Sequence, residues 1–248
     1  ASAHEGSGYG ADFCSDMVVS PSGNVYVVGD GPDETYRDDF ITIKYDSSGT
    51  EQWASRYDGP VGRGDFAIAV TIDADENVYV AGYGETAATG GSLRQMVVKY
   101  DSGGNQQWAT INNSAARSSA ITLDSSGNIY VVGILLTKYD NDGDIQWNAC
   151  QYGDSFATMS VYIDSSGNVY AGGYSYGLTD PSGATDCALA KFDSSGNLLW
   201  RASYGHPGDD AGWAIAADPE GNIFLVTMAF FEETTGDIIT IKFRNPVL

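Results

Sequence analysis

Short runs in which apolar residues alternate with other residues recur along the whole chain, each closed by Gly, Asn or Asp. The runs DFAIAVTID (65–73), NVYVAGY (77–83), QMVVKY (95–100) and NQQWATI (105–111) show one complete unit. Alternation with period two marks a strand with one buried face, and strings such as DSSGN between paired runs mark hairpins. In such a turn Asp bonds its own backbone and Gly accepts a positive φ. No long stretch carries apolar residues at i, i+3 and i+4, so the pattern predicts strands and almost no helix.

The unit repeats. Aligning SGNVYVVG (Asn24), DENVYVAG (Asn77), SGNIYVVG (Asn128), SGNVYAGG (Asn168) and EGNIFLVT (Asn222) gives spacings of 53, 51, 40 and 54 residues. A period of that size indicates a radial or stacked array of small sheets. A second phrase, KYDSSGTEQWAS from Lys44, returns as KYDSGGNQQWAT, KYDNDGDIQWNA and KFDSSGNLLWRA, and a fifth start, KFRNPVL, stops at Leu248. The missing half lies at the other end: Ala1–Gly6 aligns beneath Ala54–Gly59, and Gly10-Ala11-Asp12-Phe13 beneath Arg63-Gly64-Asp65-Phe66. These matches predict an all-β single domain over 1–248, a five-bladed β-propeller of four-stranded antiparallel blades. The blades run 12–60, 61–114, 115–153, 154–208, and 209–248 with 1–6, so that the N-terminal strand completes the last blade and removes an exposed edge. A linear solenoid would not need termini that complement each other.

The unit D-x-x-G-N-V-Y-V-x-G followed by K-Y-D-x-S-G-x-x-x-W resembles the SBBP-type β-propeller repeat over essentially the whole chain. The resemblance implies a propeller in a secreted or surface-exposed bacterial protein, and no particular reaction. The chain departs from the pattern at Ala116, where Asp12, Asp65 and Asp210 set the rule, and at Thr227, which replaces the Gly after the second strand.

Charge narrows the partners. Lys and Arg number 12 against 33 Asp and Glu, a formal charge of −21, which repels phosphate backbones and anionic membranes, so no nucleic acid and no membrane insertion are expected. A start at Ala1-Ser2-Ala3 is what cleavage after a small-residue site leaves, which favours an extracellular or cell-surface location. Cys14, Cys150 and Cys187 lack CxxC spacing and read as small buried hydrophobes, with one disulfide at most.

Residues that recur in every blade read as scaffold. Trp53, Trp108, Trp147 and Trp200 hold one register, as do Tyr26, Tyr79, Tyr130, Tyr170 and Phe224. Lys44, Lys99, Lys138, Lys191 and Lys242 are expected to lie along apolar surface and meet a carboxylate. The strings at Asp73–Asn77 and Asp140–Asp144 imitate calcium loops but lack the Gly and Glu an EF-hand requires, so they read as turns.

Irregularity points to the ligand face. Between the second-strand Gly (or Thr227) and the third-strand Lys stand 14, 16, 4, 17 and 14 residues in the five blades, leaving raised loops around a notch over blade 3. Those loops carry the candidate ligand-binding residues Tyr36, Asp38, Asp39, Tyr174, Tyr176, Phe230 and Phe231, aromatic faces beside acceptors that suit a sugar. Asp12, Asp65, Asp154 and Asp210 begin their first strands, with Asp16 nearby, and form a candidate metal set for which calcium is the natural cation. His4 and His206 are the only histidines, and no HExxH or Cys-His arrangement is visible. The leading expectation is a secreted, non-enzymatic module binding a glycan or protein on the irregular face. The alternatives are a carbohydrate-active hydrolase or lyase using carboxylates on that face, and a structural subunit of a surface assembly.

Overall fold

In the computed structural model, residues 10–35, 37–86, 93–114, 117–149, 156–176, 184–205, 208–229 and 237–244 are described. They form nineteen strands in five antiparallel sheets. The first sheet holds β1 (Phe13–Val19), β2 (Val25–Pro32), β3 (Asp38–Tyr45) and β4 (Glu51–Tyr57) in chain order. The second holds β5 (Asp65–Ile72), β6 (Val78–Glu85), β7 (Leu93–Tyr100) and β8 (Gln106–Asn112). The third holds β9 (Ser118–Leu123), β10 (Ile129–Gly133), β11 (Leu136–Tyr139) and β12 (Ile145–Ala149), and the fourth β13 (Phe156–Ile163), β14 (Val169–Tyr176), β15 (Thr185–Phe192) and β16 (Leu198–Tyr204). The fifth has three strands, β17 (Ala211–Ala217), β18 (Ile223–Ala229) and β19 (Asp237–Phe243). The strands expected in the second repeat match those observed within one or two residues at each end. In the third sheet only Ile134 and Leu135 separate β10 from β11, as the four-residue spacing predicts.

Asp builds the turns as the sequence suggests. Asp46, Asp73, Asp101, Asp124, Asp140, Asp164 and Asp193 each accept backbone N–H bonds two and four residues on through Oδ1. The calcium-loop look-alikes at Asp73 and Asp140 are therefore turns whose carboxylates are used by backbone amides.

The chain divides into two compact units: Ala1–Ile129 with Tyr139–Ile145, and Tyr130–Lys138 with Gln146–Leu248. In the first unit, Tyr26, Val28 and Phe40 of the first sheet pack on Ala67, Val70, Val78, Val80, Met96 and Val98 of the second. In the second unit, Tyr170, Cys187 and Leu189 pack with Ile223 and Leu225. Within each unit the face of one sheet covers the first strand of the next, which is the propeller-like stacking.

The recurring aromatics are clasps between sheets. The indole N–H of Trp53 donates to Ser102 O at 3.1 Å, that of Trp108 to Asn141 O at 3.1 Å, and that of Trp147 to Ser194 O at 3.2 Å. Each bond reaches the third-to-fourth turn of the following repeat. Trp200 stacks on Phe243 at 27°. The recurring lysines cover aromatic rings at 4.9–5.2 Å: Lys44 on Tyr26, Lys99 on Tyr79, Lys138 on Tyr130, Lys191 on Tyr170 and Lys242 on Phe224. Their ion pairing departs from the expectation of a carboxylate for each. Lys44 meets Glu76 and Lys242 meets Asp218, but Lys99 donates to the amide oxygen of Asn141 at 2.7 Å. The ring, not the carboxylate, is the partner common to all five.

Candidate functional site

Where β3 begins, β4 ends and β5 begins, three carboxylates meet. One oxygen each of Asp39, Asp58 and Asp65 lies within 4.8 Å of the others, the only such acidic group among the described residues. Asp39 and Asp65 are fully buried, and Asp58 is exposed. Arg56 approaches from β4, its Nη1 donating to Asp39 Oδ2 at 3.1 Å and to Gly31 O at 2.6 Å. Asp65 Oδ2 accepts the Gly59 N–H at 2.6 Å. Glycines make this approach possible, because a Cβ at Gly59 would lie 2.5 Å from Asp65 Oδ2 and one at Gly84 would lie 1.7 Å from Oδ1. Burial, reinforced by the charges of Asp39, Asp58 and Glu85, pushes the Asp65 carboxyl up to about 7 against the pull of the Gly59 N–H. Burial also raises Asp39, with the Arg56 hydrogen bond opposing it.

The structure distributes the other expected residues. Asp16 is occupied by backbone amides, its Oδ1 taking the Met17 N–H at 2.8 Å and its Oδ2 the Val70 N–H at 3.0 Å. Ser160 performs the same clip with Ile215 N–H at 3.2 Å, which identifies Asp16 as a device for joining consecutive first strands. Asp12 lies with Asp30 and Asp38 in the first sheet. Burial, followed by the charges of Asp38 and Asp12, pushes Asp30 up to about 6. A cavity of about 140 Å³ lined by Asp12, Cys14, Asp30 and the aliphatic residues of β2 and β3 opens on that sheet. Cys14 is exposed and free, against the expectation of burial, because it stands on a face of the first sheet that no described residue of the first unit covers. Cys187 is buried and free, its thiol raised to about 11 by burial and donating to Tyr204 O at 3.0 Å. Cys150 and Asp154 fall outside the described residues.

In the second unit, Tyr174 and Tyr176 stand two apart on β14 and meet edge to face at 6.3 Å, with Tyr176 58% exposed. Asp209 Oδ1 accepts the Thr185 N–H at 2.9 Å, and Asp210 N–H donates to Thr185 O at 2.7 Å, tying β15 to the start of β17. Asp210 and Asp186 are both fully buried there. Tyr36, Phe230 and Phe231 lie outside the described residues.

The sequence reading missed Asp58 and Asp30. A signal for Asp58 existed, since the N-terminal alignment sets Glu5 beneath it, an acid at the same register ahead of Asp12. Asp30 had none, because Tyr83 holds the corresponding place beside Phe66 in the second sheet.

No protein-family model and no curated protein sequence matches the chain. Among solved structures it is similar to a protein of unknown function from Bacteroides caccae, with 12% identity and a TM-score of 0.51 over 86% of this chain and 70% of that one. It is also similar to a putative exo-β-1,3-galactanase from Bifidobacterium bifidum, with 12% identity and a TM-score of 0.50 over 92% of this chain and 86% of that one. At that identity the likeness shows a shared propeller-like all-β fold.

Proposed function

We propose that the chain is a binding module of the SBBP-repeat kind, exported to the cell surface or beyond, that takes a glycan through aromatic side chains on its irregular loop face. The observation that carries this reading is the Tyr174–Tyr176 pair, two rings in edge-to-face contact with Tyr176 held open to solvent at the end of β14. A pyranose stacks its apolar face on such a ring and offers its hydroxyls to nearby acceptors. The fold neighbour described as a putative exo-β-1,3-galactanase makes galactans the first glycans to try. Turnover by the acidic junction is disfavoured, since buried Asp39 and Asp65 leave Asp58 alone to reach a glycosidic oxygen.

In this reading the five sheets close into one ring, the N-terminal segment supplying the fourth strand of the last sheet. Complementary apolar faces support it. Met17 is 55% exposed, yet its register equivalent in the second sheet, Val70, packs toward the first sheet. Ile238 is 81% exposed, yet it holds the register of Phe40, which is fully buried in the first sheet. Among the described residues, the first strand of one sheet has no cover, and the third strand of another has no first strand to cover.

Glycan-array binding of the purified protein, with galactan oligosaccharides included, tests the assignment. Binding that falls at least about tenfold, or about 1.4 kcal/mol, in Tyr174→Ala/Tyr176→Ala is the expected result. Silence across the array would remove the glycan reading and leave a protein ligand or a surface assembly as the role of this face.

A further inference from the structure

The junction of Asp39, Asp58 and Asp65 has a property that packing does not explain. Asp65 is fully buried, and while its Oδ2 takes the Gly59 N–H, its Oδ1 is buried with no hydrogen-bond partner. An acceptor withdrawn from water without a donor is costly, and here two further carboxylates stand within 4.8 Å. Arg56 is paired with Asp39 at 3.1 Å, and the nearby Arg63 with Glu85 at 3.2 Å.

We propose that Asp39, Asp58 and Asp65 bind one hard divalent cation of the calcium class. A divalent ion offsets the repulsion of carboxylates brought within 4.8 Å and supplies the orphaned Asp65 Oδ1 with a partner. All three side chains offer oxygen, the donor set of calcium and magnesium rather than of zinc or copper. Exposed Asp58 gives the ion its way in, and water completes a shell for which the protein supplies few ligands. Affinity is therefore that of extracellular calcium modules, with a dissociation constant on the order of 10⁻⁴ M or weaker.

The second unit shows why the site is single among the described residues. Asp186 and Asp210 hold the registers of Asp39 and Asp65 and are equally buried, but Gly205 follows Tyr204 where Asp58 follows Tyr57. Gly205 supplies no third carboxylate there.

Calorimetric titration of the chelator-treated protein with calcium, and separately magnesium, in about 0.15 M salt to screen diffuse association, tests the proposal. Thermal unfolding and terbium luminescence, sensitised by neighbouring Tyr57, accompany it. One equivalent of calcium should bind and raise the Tm. Asp58→Asn, at an exposed position, should weaken binding at least about tenfold, whereas Asp142→Asn, in a surface turn, should not. Absence of heat and of any Tm shift up to about 10 mM calcium would overturn the site, as would unchanged calcium binding in Asp58→Asn. Neither result bears on glycan recognition, which rests on the tyrosines of β14.

Discussion

One glutamate shows how a repeat tolerates a broken rule. The first turn of the first sheet begins with Ser20 where the equivalent turns begin with Asp73, Asp124, Asp164 and Asp218. Those aspartates bind the Asn four residues on through Oδ2, and Asp73 and Asp164 also bind a tyrosine hydroxyl. Ser20 cannot supply that carboxylate, and Glu76 from the next repeat does. It accepts from Asn24 Nδ2 at 2.9 Å, Tyr26 OH at 2.6 Å, Lys44 Nζ at 3.0 Å and the hydroxyl of Ser22. The Ser22 and Tyr26 hydroxyls lead the bonds that hold its carboxyl far below the usual range. Glu76 does this from a backbone φ of 59°, at the turn position that Gly fills elsewhere. Glu76→Gln should cost about 1–2 kcal/mol by urea unfolding, because charged acceptance is lost while the left-handed backbone stays. Glu76→Gly combined with Ser20→Asp should recover wild-type stability or exceed it, since the carboxylate returns to the local turn and the strain is relieved. A double variant no more stable than Glu76→Gly alone would show that the exchange is not equivalent.

At the scale of elements, what joins consecutive sheets is an indole laid against a glycine turn. A Cβ at Gly104 would lie 2.6 Å from Trp53, one at Gly143 2.9 Å from Trp108 and one at Gly196 2.7 Å from Trp147. Gly104 also has φ 84°, so an alanine there meets both backbone strain and a steric clash. Gly127 separates the two effects, because its φ is 80° and nothing lies within 4 Å of its Cβ position. Gly127→Ala should therefore cost about 1–2 kcal/mol and Gly104→Ala clearly more, with a lowered Tm as the measurement. Equal losses would mean that the tryptophan moves aside freely and does not clasp.

For the whole molecule, the exposed faces of β1 and β19 carry the test of closure. If Ile238 faced only water, Ile238→Glu would leave stability unchanged. In a closed ring both Ile238→Glu and Met17→Glu should lower stability by about 2 kcal/mol, since each removes a large apolar side chain from a covered face. Size-exclusion chromatography should show a monomer in each case. A wild-type dimer that either substitution dissolves would place the contact between two copies instead.

Periodicity and punctuation determined the element order by themselves. Alternation specifies strands, D-x-x-G-N specifies turns, and both act within a few residues, so Asp73, Asp140 and the Trp register were legible without any contact in space. The site was legible only in part. Asp65 stands out as the first residue of its strand, and Asp39 as an acid in a variable loop, but nothing local links them across twenty-six positions of sequence. Their meeting with Asp58 depends on the third strand of one sheet packing beside the first strand of the next. The same contact decides that Asp65 is buried with an oxygen unpaired, while Asp16 spends both oxygens on backbone amides. Residue type and spacing fix which groups a chain can offer. Burial and neighbours set charge balance and hydrogen-bond supply, and these exist only once the sheets are stacked.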